Sequence, residues 1–261
     1  MKKKQICLLA CAAAVVLCAV LAGGRQRQVQ LTVPSGDSPM GPRKILNYRG
    51  SRYAFLENGA AYDLEAGDME EELGTLQYDI LADPEENGRK DLAATFALGG
   101  TLWETKLWDP DFRVAVELEN SIYLAERVDS LGDEAVDLSD YFAAADFAHT
   151  ARTIEIRDHM GREVLDTLEG QDRRAMLDLL CQCKAAELEN EDYPAIGEAQ
   201  RSGGSFRLVL KLTDGTDYGL YVLPELGLAM LGDNKYSLPE DFRQSFGERF
   251  GGLTQGPLPA I

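Results

Sequence analysis

The clearest alternation of apolar and polar positions lies between Phe206 and Val222. Apolar residues recur at every second position on both sides of Thr213-Asp214-Gly215, which is typical of a β-hairpin with one buried face. A two-residue loop would set the apolar face of one strand against the polar face of the other, whereas a three-residue loop pairs Leu210 with Tyr218. Because a shift of one residue turns every side chain to the opposite face, the pattern predicts the three-residue loop, with Gly215 left-handed.

The remainder of residues 151–250 predicts an α+β domain whose helices pack on one face of an antiparallel sheet. A second hairpin is expected at 154–168, and 189–204 are expected to form a loop. Helical spacing then predicts two helices, one after an Asp172 N-cap and one that Pro239 opens. Their buried faces are predicted to consist of Met176, Leu179, Leu180 and Cys183 in the first helix and Phe242, Phe246 and Phe250 in the second.

Residues 44–128 alternate short apolar runs with turn residues, which predicts a small, mostly antiparallel β domain. Asn58-Gly59 can supply the positive φ angles of a tight turn, so a hairpin is expected there. Asp83–Lys90 is expected to be a surface loop. Residues 129–150 are acidic and rich in alanine, and they predict a connector between the domains with a short helix capped by Ser139.

Leu98–Glu119 predicts a further hairpin, with a type I turn at Asp109-Pro110-Asp111-Phe112. Strand alternation assigns Trp103 to the core face and Trp108 to the polar face, where Arg113 can stack on the indole. Two interpretations of this pair stay open. Either the stack covers the outer face of the hairpin, or an exposed Trp108 binds a sugar ring or a partner peptide beside Arg113. Trp108 and Arg113 are therefore the candidate ligand-binding residues.

The N-terminus follows a different pattern, with three lysines ahead of a run that is wholly apolar from Ile6 to Ala22. Lysines stay on the cytoplasmic side, so the rest of the chain is expected to be exported. Residues 6–24 are about long enough to cross a bilayer, which predicts an uncleaved signal anchor at 1–24 and a single-pass cell-membrane protein with extracytoplasmic domains. The alternatives are secretion after cleavage near Ala22 and lipidation at Cys11. Residues 25–43 predict a flexible linker, and 251–261 a loose tail.

Charge and motif content narrow the function classes. The formal net charge of −18 argues against nucleic-acid binding, which depends on lysine and arginine. The chain has only two histidines, His149 and His159, and it contains no G-x-S-x-G, H-E-x-x-H, P-loop or G-x-G-x-x-G motif. Cys181 and Cys183 fall on a predicted helix and would point away from each other, so no disulfide between them is expected and both are predicted to be buried thiols. No catalytic residue, metal site or cofactor is predicted.

The run DLAATFALGGTLWETKLWDPDFRVAVELENSIYLAE, from Asp91 to Glu126, resembles a segment that recurs in uncharacterised exported or membrane-anchored proteins of Gram-positive bacteria. The shared features are a glycine before a strand, an aromatic residue near the end of that strand, and Phe-Arg followed by alternating apolar residues. The resemblance covers 36 residues and carries no assigned activity. It implies an envelope location.

These patterns favour a non-catalytic binding or interaction module of the cell envelope, with an envelope protein or a glycan as its partner. One alternative is an extracytoplasmic hydrolase that acts through a pair of carboxylates on glycans. Another is an accessory subunit whose membrane segment pairs with a transporter or receptor. Acidic residues are too numerous for their abundance to identify a catalytic pair, so an enzymatic role is not favoured but stays open.

Overall fold

The computed structural model of the chain describes residues 43–64, 66–132, 136–232 and 234–255. The anchor predicted at 6–24, nearly all of the predicted linker and the end of the predicted tail lie outside these residues. Within the described ranges, no helix has the length and apolar character that a membrane crossing requires. The described chain is α+β and contains one mixed sheet, one antiparallel sheet and several helices.

The first sheet contains nine strands, in the order β4-β7-β8-β9-β2-β1-β6-β5, with β3 also paired to β9. Its strands are β1 (Ile45–Tyr48), β2 (Ser51–Phe55), β3 (Ala61–Tyr62), β4 (Met69–Thr75), β5 (Tyr78–Asp79), β6 (Ala93–Ala94), β7 (Thr101–Thr105), β8 (Arg113–Leu118) and β9 (Ser121–Ser130). The β5–β6 pair is parallel, and the other described pairs of this sheet are antiparallel.

The two ends of this strand order belong to one continuous stretch of chain. Only Leu76 and Gln77 separate β4 from β5. Leu76 exchanges backbone hydrogen bonds with Gly99 and Gly100 beside β7, whereas the Gln77 N–H donates to the Leu92 carbonyl beside β6. The sheet therefore curls closed on itself, which reduces the exposed edges that isolated sheets present. Its apolar interior includes Leu46, Tyr53, Phe55, Leu102, Val114 and Val116.

The hairpin expected at Asn58-Gly59 does not form, so that prediction is wrong. Strand β2 already has β1 on one side and β9 on the other, so a returning strand has no edge to join. Asn58 and Gly59 do have positive φ angles, but the chain does not reverse there to pair with β2. It continues to β3, which pairs with β9 next to the part of β9 that pairs with β2. The tight hairpin instead joins β1 to β2 through Arg49-Gly50.

The second sheet is antiparallel, with seven strands in the order β11-β10-β13-β14-β15-β16-β12. Its strands are β10 (Ala151–Arg157), β11 (Val164–Leu168), β12 (Lys184–Ala185), β13 (Phe206–Leu212), β14 (Asp217–Leu223), β15 (Leu228–Leu231) and β16 (Asn234–Ser237). The described α-helices of the chain are α1 (Pro84–Asn87), α2 (Leu138–Ala144), α3 (Phe147–Thr150), α4 (Gly170–Leu180), α5 (Tyr193–Ser202) and α6 (Glu240–Gly251).

The predicted register of the β13–β14 hairpin is confirmed. Leu210 pairs with Tyr218, Leu208 with Leu220, and Phe206 with Val222. The Leu212 N–H donates to the Thr216 carbonyl at 2.9 Å, which leaves three residues in the loop. Gly215 has a φ of +86°, in the left-handed region that the three-residue loop requires. Burial of the apolar face therefore determines both the register of the two strands and the length of the loop between them.

Two glycine substitutions should change stability in opposite directions. Gly215→Ala should lower the free energy of unfolding by about 1–2 kcal/mol, because alanine is strained at a positive φ. Gly197→Ala, within α5, should raise it by about 0.5–1 kcal/mol, because alanine restricts the unfolded chain and favours the helix. Urea unfolding of both variants measures the two changes. Equal effects of the two substitutions would contradict the assigned loop conformation.

The predicted helices form, but some of their boundaries differ. Buried residues of α4 and α6 include every predicted position within those helices, and Cys183 is also buried, just after α4. Helix α4 begins after Glu169 rather than at Asp172, and α2 follows Asp137 rather than a Ser139 cap. A four-residue helix, α1, follows Asp83 where a loop was predicted.

Helix α5 corrects the predicted arrangement of helices on one face of the second sheet. Helices α4 and α6 contribute to the large core of that sheet, as predicted, and α2, which was predicted to lie in a connector, contributes to the same core. Residues 193–202 were predicted to be a loop, but they form α5, and its buried Ile196 packs with Leu223 and Leu228. These two leucines alternate with Val222 and Ala229, which face the large core. Helix α5 therefore covers the opposite face.

Candidate functional site

Two successive turns fold the connection between β7 and β8, residues 105–113, which we call the Trp108 loop. Thr105 and Trp108 form an antiparallel bridge, so the chain already reverses at Lys106-Leu107. The Trp108 N–H donates to Thr105 Oγ1 at 3.2 Å. The second turn is the predicted one, with the Phe112 N–H donating to the Asp109 carbonyl at 2.8 Å. Strand β7 therefore ends before Trp108.

The burial of the two tryptophans differs from the prediction. Trp108, assigned to the polar face, is only 6% exposed and belongs to the core of the second sheet. Trp103, assigned to the core, is partly buried and packs with Ala115, Ile122 and Leu124 on the other face of the first sheet. The extra turn at Lys106-Leu107 breaks the strand alternation on which the assignment of Trp108 rested, and within β7 it is Leu102, not Trp103, that faces the interior of the first sheet.

Aromatic residues of the Trp108 loop connect the two sheets. Phe112 is fully buried, and its ring centroid lies 5.2 Å from that of Trp108. The Phe112 centroid also lies 5.4 Å from that of Phe147 in α3 and 5.7 Å from that of Tyr218 in β14. From the first sheet, the Tyr53 hydroxyl donates to the Pro110 carbonyl at 2.9 Å. The loop is therefore held by both sheets.

Arg113 is fully buried and is paired with a carboxylate from each sheet. Its Nε and Nη2 donate to Glu126 Oε2 on β9 at 2.9 and 2.6 Å. Its Nη1 lies 3.4 Å from Asp214 Oδ2 and donates to Thr216 Oγ1 at 2.5 Å. The guanidinium carbon lies 5.1 Å from the centre of the Trp108 ring. The predicted contact between Trp108 and Arg113 is thus present, within a buried network.

Asp214 receives four donors, although it stands in an exposed hairpin loop. Its Oδ1 accepts from the backbone N–H and the hydroxyl of Thr216, at 2.9 and 2.7 Å. Its Oδ2 accepts from Trp108 Nε1 at 3.1 Å and from Arg113 Nη1 at 3.4 Å. The side chain is consequently only 13% exposed. Charge-assisted bonds of this kind fix the orientation of both the carboxylate and the indole.

Burial raises the pKa of Glu126 above its ordinary value, while the Arg113 guanidinium acts in the opposite direction. The pKa of Tyr62 is also raised, first by burial and then by the negative charge of Glu57, with Arg113 opposing and Glu126 and Asp214 adding smaller increases. The Tyr62 phenol therefore stays protonated at neutral pH.

A pocket of about 250 Å³, which we call the Trp108 pocket, opens beside the loop. Its lining residues include Tyr62 at the end of β3 and three residues that follow this strand, namely Asp63, Leu64 and Asp68. The other lining residues are Thr105, Leu107 and Trp108 of the loop, Leu124 of β9, and Asp214 and Thr216 of the β13–β14 hairpin. This volume is just below the usual range for small-molecule sites, and it suits one side chain or one sugar ring.

The lining of the Trp108 pocket is acidic and apolar. Three carboxylates line it, from Asp63, Asp68 and Asp214, and the described lining includes neither lysine nor arginine. Sequence reasoning identified Trp108 and Arg113 but missed these three residues. Asp214 and Asp63 are far from Trp108 along the chain, so the sequence contained no local signal that would join them.

Neither histidine lines the Trp108 pocket. His159 Nδ1 is 2.9 Å from Ser205 Oγ, but Ser205 is fully buried and cannot reach a substrate. Burial lowers the pKa of His159. His149 pairs with Asp146 at the surface, with 82% of its side chain exposed. Cys181 and Cys183 are free thiols that follow the end of α4; Cys183 is buried as predicted, but Cys181 is exposed, so the prediction of a buried thiol is wrong at that position. Among the described residues, no cluster of three or more metal-ligating side chains could hold a metal ion.

Comparison of the chain with protein families, with curated proteins and with solved structures finds no match.

Proposed function

We propose that this chain is a non-catalytic binding module of the cell envelope and that the Trp108 pocket receives its ligand. The observation that carries the proposal is the construction of the pocket wall. Trp108 and Asp214 come from different sheets, yet a direct hydrogen bond and the buried Arg113 hold them together. A wall whose rotamers are fixed in this way loses little conformational entropy on binding.

Within this proposal Trp108 contacts the ligand and Arg113 positions the wall. Trp108 lines the pocket, whereas the Arg113 side chain is fully buried behind Asp214. Arg113 therefore acts through Asp214 and Trp108. The proposed ligand is an envelope glycan or a segment of an envelope protein. The proposed location is extracytoplasmic, with the chain attached to the membrane through residues 6–24, in line with the lysine-flanked apolar N-terminal run.

Retention of the full chain on envelope material tests the proposal. The chain, in a mild detergent, is passed over immobilised Gram-positive cell-wall glycan and over immobilised envelope proteins. Asp63→Arg places a bulky side chain at an exposed pocket position, and Asp178→Arg makes the same charge change at an exposed position of α4. We expect the wild type and Asp178→Arg to be retained by one of the two materials, and Asp63→Arg to be lost from it.

Two results would contradict the proposed function. Equal retention of all three proteins would show that binding occurs outside the Trp108 pocket. If none of the three proteins is retained, the chain does not bind these two materials and the proposed function is contradicted. Release of shortened glycan during the assay would instead favour a carboxylate-dependent hydrolase.

A further inference from the structure

We infer that the protein binds ordered water in its interior, at a site formed by the hydroxyl groups of Tyr141, Tyr218 and Tyr236 beside Arg127, which we call the tyrosine site. None of these residues lines the Trp108 pocket, and the inference does not depend on the proposed function. It follows from the complete burial of the three hydroxyls, from their lack of a direct partner and from their electrostatic interaction with one another.

Four elements from both sheets contribute to the tyrosine site. Tyr141 lies on α2, Tyr218 on β14 and Tyr236 on β16, and all three side chains are fully buried in the large core of the second sheet. Arg127 lies on β9 of the first sheet, and its guanidinium carbon is 5.2 Å from the centre of the Tyr141 ring. The site is therefore located where β9 meets the core of the second sheet.

The polar atoms of the tyrosine site have no direct hydrogen-bond partner. The three tyrosine Oη atoms and the Nε of Arg127 are all buried, and none of them bonds to another group in the described part of the chain. Buried polar atoms of native proteins are nearly always bonded to protein or to ordered water. Phenylalanine would fill the same space without this cost, and the same core contains it at several positions, namely Phe112, Phe142, Phe147 and Phe242. Three tyrosines at one site therefore indicate a bound partner for the hydroxyls.

The three phenols influence one another although they do not bond directly. Burial is the main cause that raises the pKa of each phenol, to about 12 for Tyr141. After burial and Glu126, the charges of Tyr141 and Tyr236 raise the pKa of Tyr218 further, and the charge of Tyr141 does the same for Tyr236. Interactions of this kind weaken with distance, so the hydroxyls lie near one another. A small molecule between them would bond to more than one hydroxyl.

Water fits the chemistry of the tyrosine site better than an ion does. The phenols stay protonated at neutral pH, so they do not supply the ionised ligands that a metal ion prefers. The charge of Asp129 raises the pKa of Tyr141 and Tyr236, and the same charge would repel a bound anion. Water is neutral and both donates and accepts, and a buried water typically makes about three hydrogen bonds.

The sign of the change in stability tests the inference. Tyr218→Phe and Tyr236→Phe should each raise the equilibrium constant of unfolding about five- to tenfold, because each removes a hydrogen bond to the bound water. Hydroxyls without any partner would give the opposite result. In that case phenylalanine would leave the constant unchanged or lower it, since a buried polar group is removed and no bond is lost. Urea unfolding of the full chain in a mild detergent measures the change.

Two matched substitutions calibrate this measurement. The Tyr53 hydroxyl donates directly to the Pro110 carbonyl, so Tyr53→Phe should raise the unfolding constant about as much as the loss of a water-mediated bond. Tyr193, at the start of α5, is 49% exposed, so Tyr193→Phe should change the constant less than about twofold.

A double substitution and a crystal structure test whether the hydroxyls share the bound water. The effect of Tyr218→Phe combined with Tyr236→Phe should be smaller than the product of the two single effects, because the second change removes part of a site that is already disrupted. A high-resolution crystal structure of the full chain should show a solvent molecule bonded to at least two of the three hydroxyls. Independent effects of the two substitutions would overturn the shared site. Hydroxyls that bond only to one another, or no solvent density between them, would overturn the inference as a whole.

Discussion

Replacing Arg113 with methionine should lower the free energy of unfolding by about 3–5 kcal/mol. The guanidinium is fully buried, and its removal leaves the Glu126 carboxylate and the Asp214 carboxylate without their shared cation. Methionine retains an apolar side chain of similar length, so the loss reports charge pairing more than packing. Urea unfolding of the full chain near pH 8 measures the difference.

The matched control for this prediction is Arg201→Met in α5. Arg201 pairs with Glu198, but both side chains are about two-thirds exposed, so the expected change is at most about 0.5 kcal/mol. The deficit of Arg113→Met should also shrink near pH 5. Without the cation, the pKa of buried Glu126 rises further above its unfolded value, so stability falls as pH rises through that interval. A loss below about 1 kcal/mol at both pH values would contradict the buried network.

Replacing Phe112 with alanine should also lower the free energy of unfolding by about 3–5 kcal/mol. The ring is fully buried and contacts aromatic rings from the loop itself, from α3 and from β14. Its removal opens a cavity where the loop of the first sheet meets the core of the second. Hydrogen exchange should show weakened protection in both sheets, because the loop joins them.

Two controls separate the causes of this loss. Phe112→Leu keeps most of the volume and should cost less than about 1.5 kcal/mol. Leu107→Ala, at an exposed position of the same loop, should cost less than about 1 kcal/mol. If Phe112→Ala destabilised the protein no more than Leu107→Ala, Phe112 would not connect the two cores.

Local patterns predicted the second sheet better than the first. The β13–β14 register followed from one apolar face and one loop length, and α4 and α6 followed from helical spacing. The strand pairing of the first sheet depends on which strand edges are not yet paired with another strand. This is a property of the whole sheet, and a local sequence pattern does not contain it. Asn58-Gly59 has the conformation of a turn, but β2 had no edge for a returning strand. Helix α5 buries only Ile196, which is too little apolar periodicity to predict a helix.

The candidate site was predicted only in part. The Trp108–Arg113 contact followed from the hairpin pattern, because both residues lie near the same turn. The burial of Trp108 could not be predicted from the hairpin pattern, because it depends on the bridge to Thr105 and on packing against the second sheet. Asp214 had been noted only as a loop residue. Its four donors include side chains about a hundred residues away, Trp108 and Arg113, and no local pattern predicts such contacts.

The indole N–H signals of the two tryptophans test the central claim that the ligand occupies the Trp108 pocket. The chain has two tryptophans, so a ¹⁵N-tryptophan-labelled sample gives one indole signal from each. The spectrum is recorded with and without the envelope component that retains the full chain. The Trp108 signal should shift, because its N–H bonds Asp214 in the pocket wall, and the Trp103 signal should stay in place. A bound ligand that shifts Trp103 and leaves Trp108 unchanged would contradict the claim.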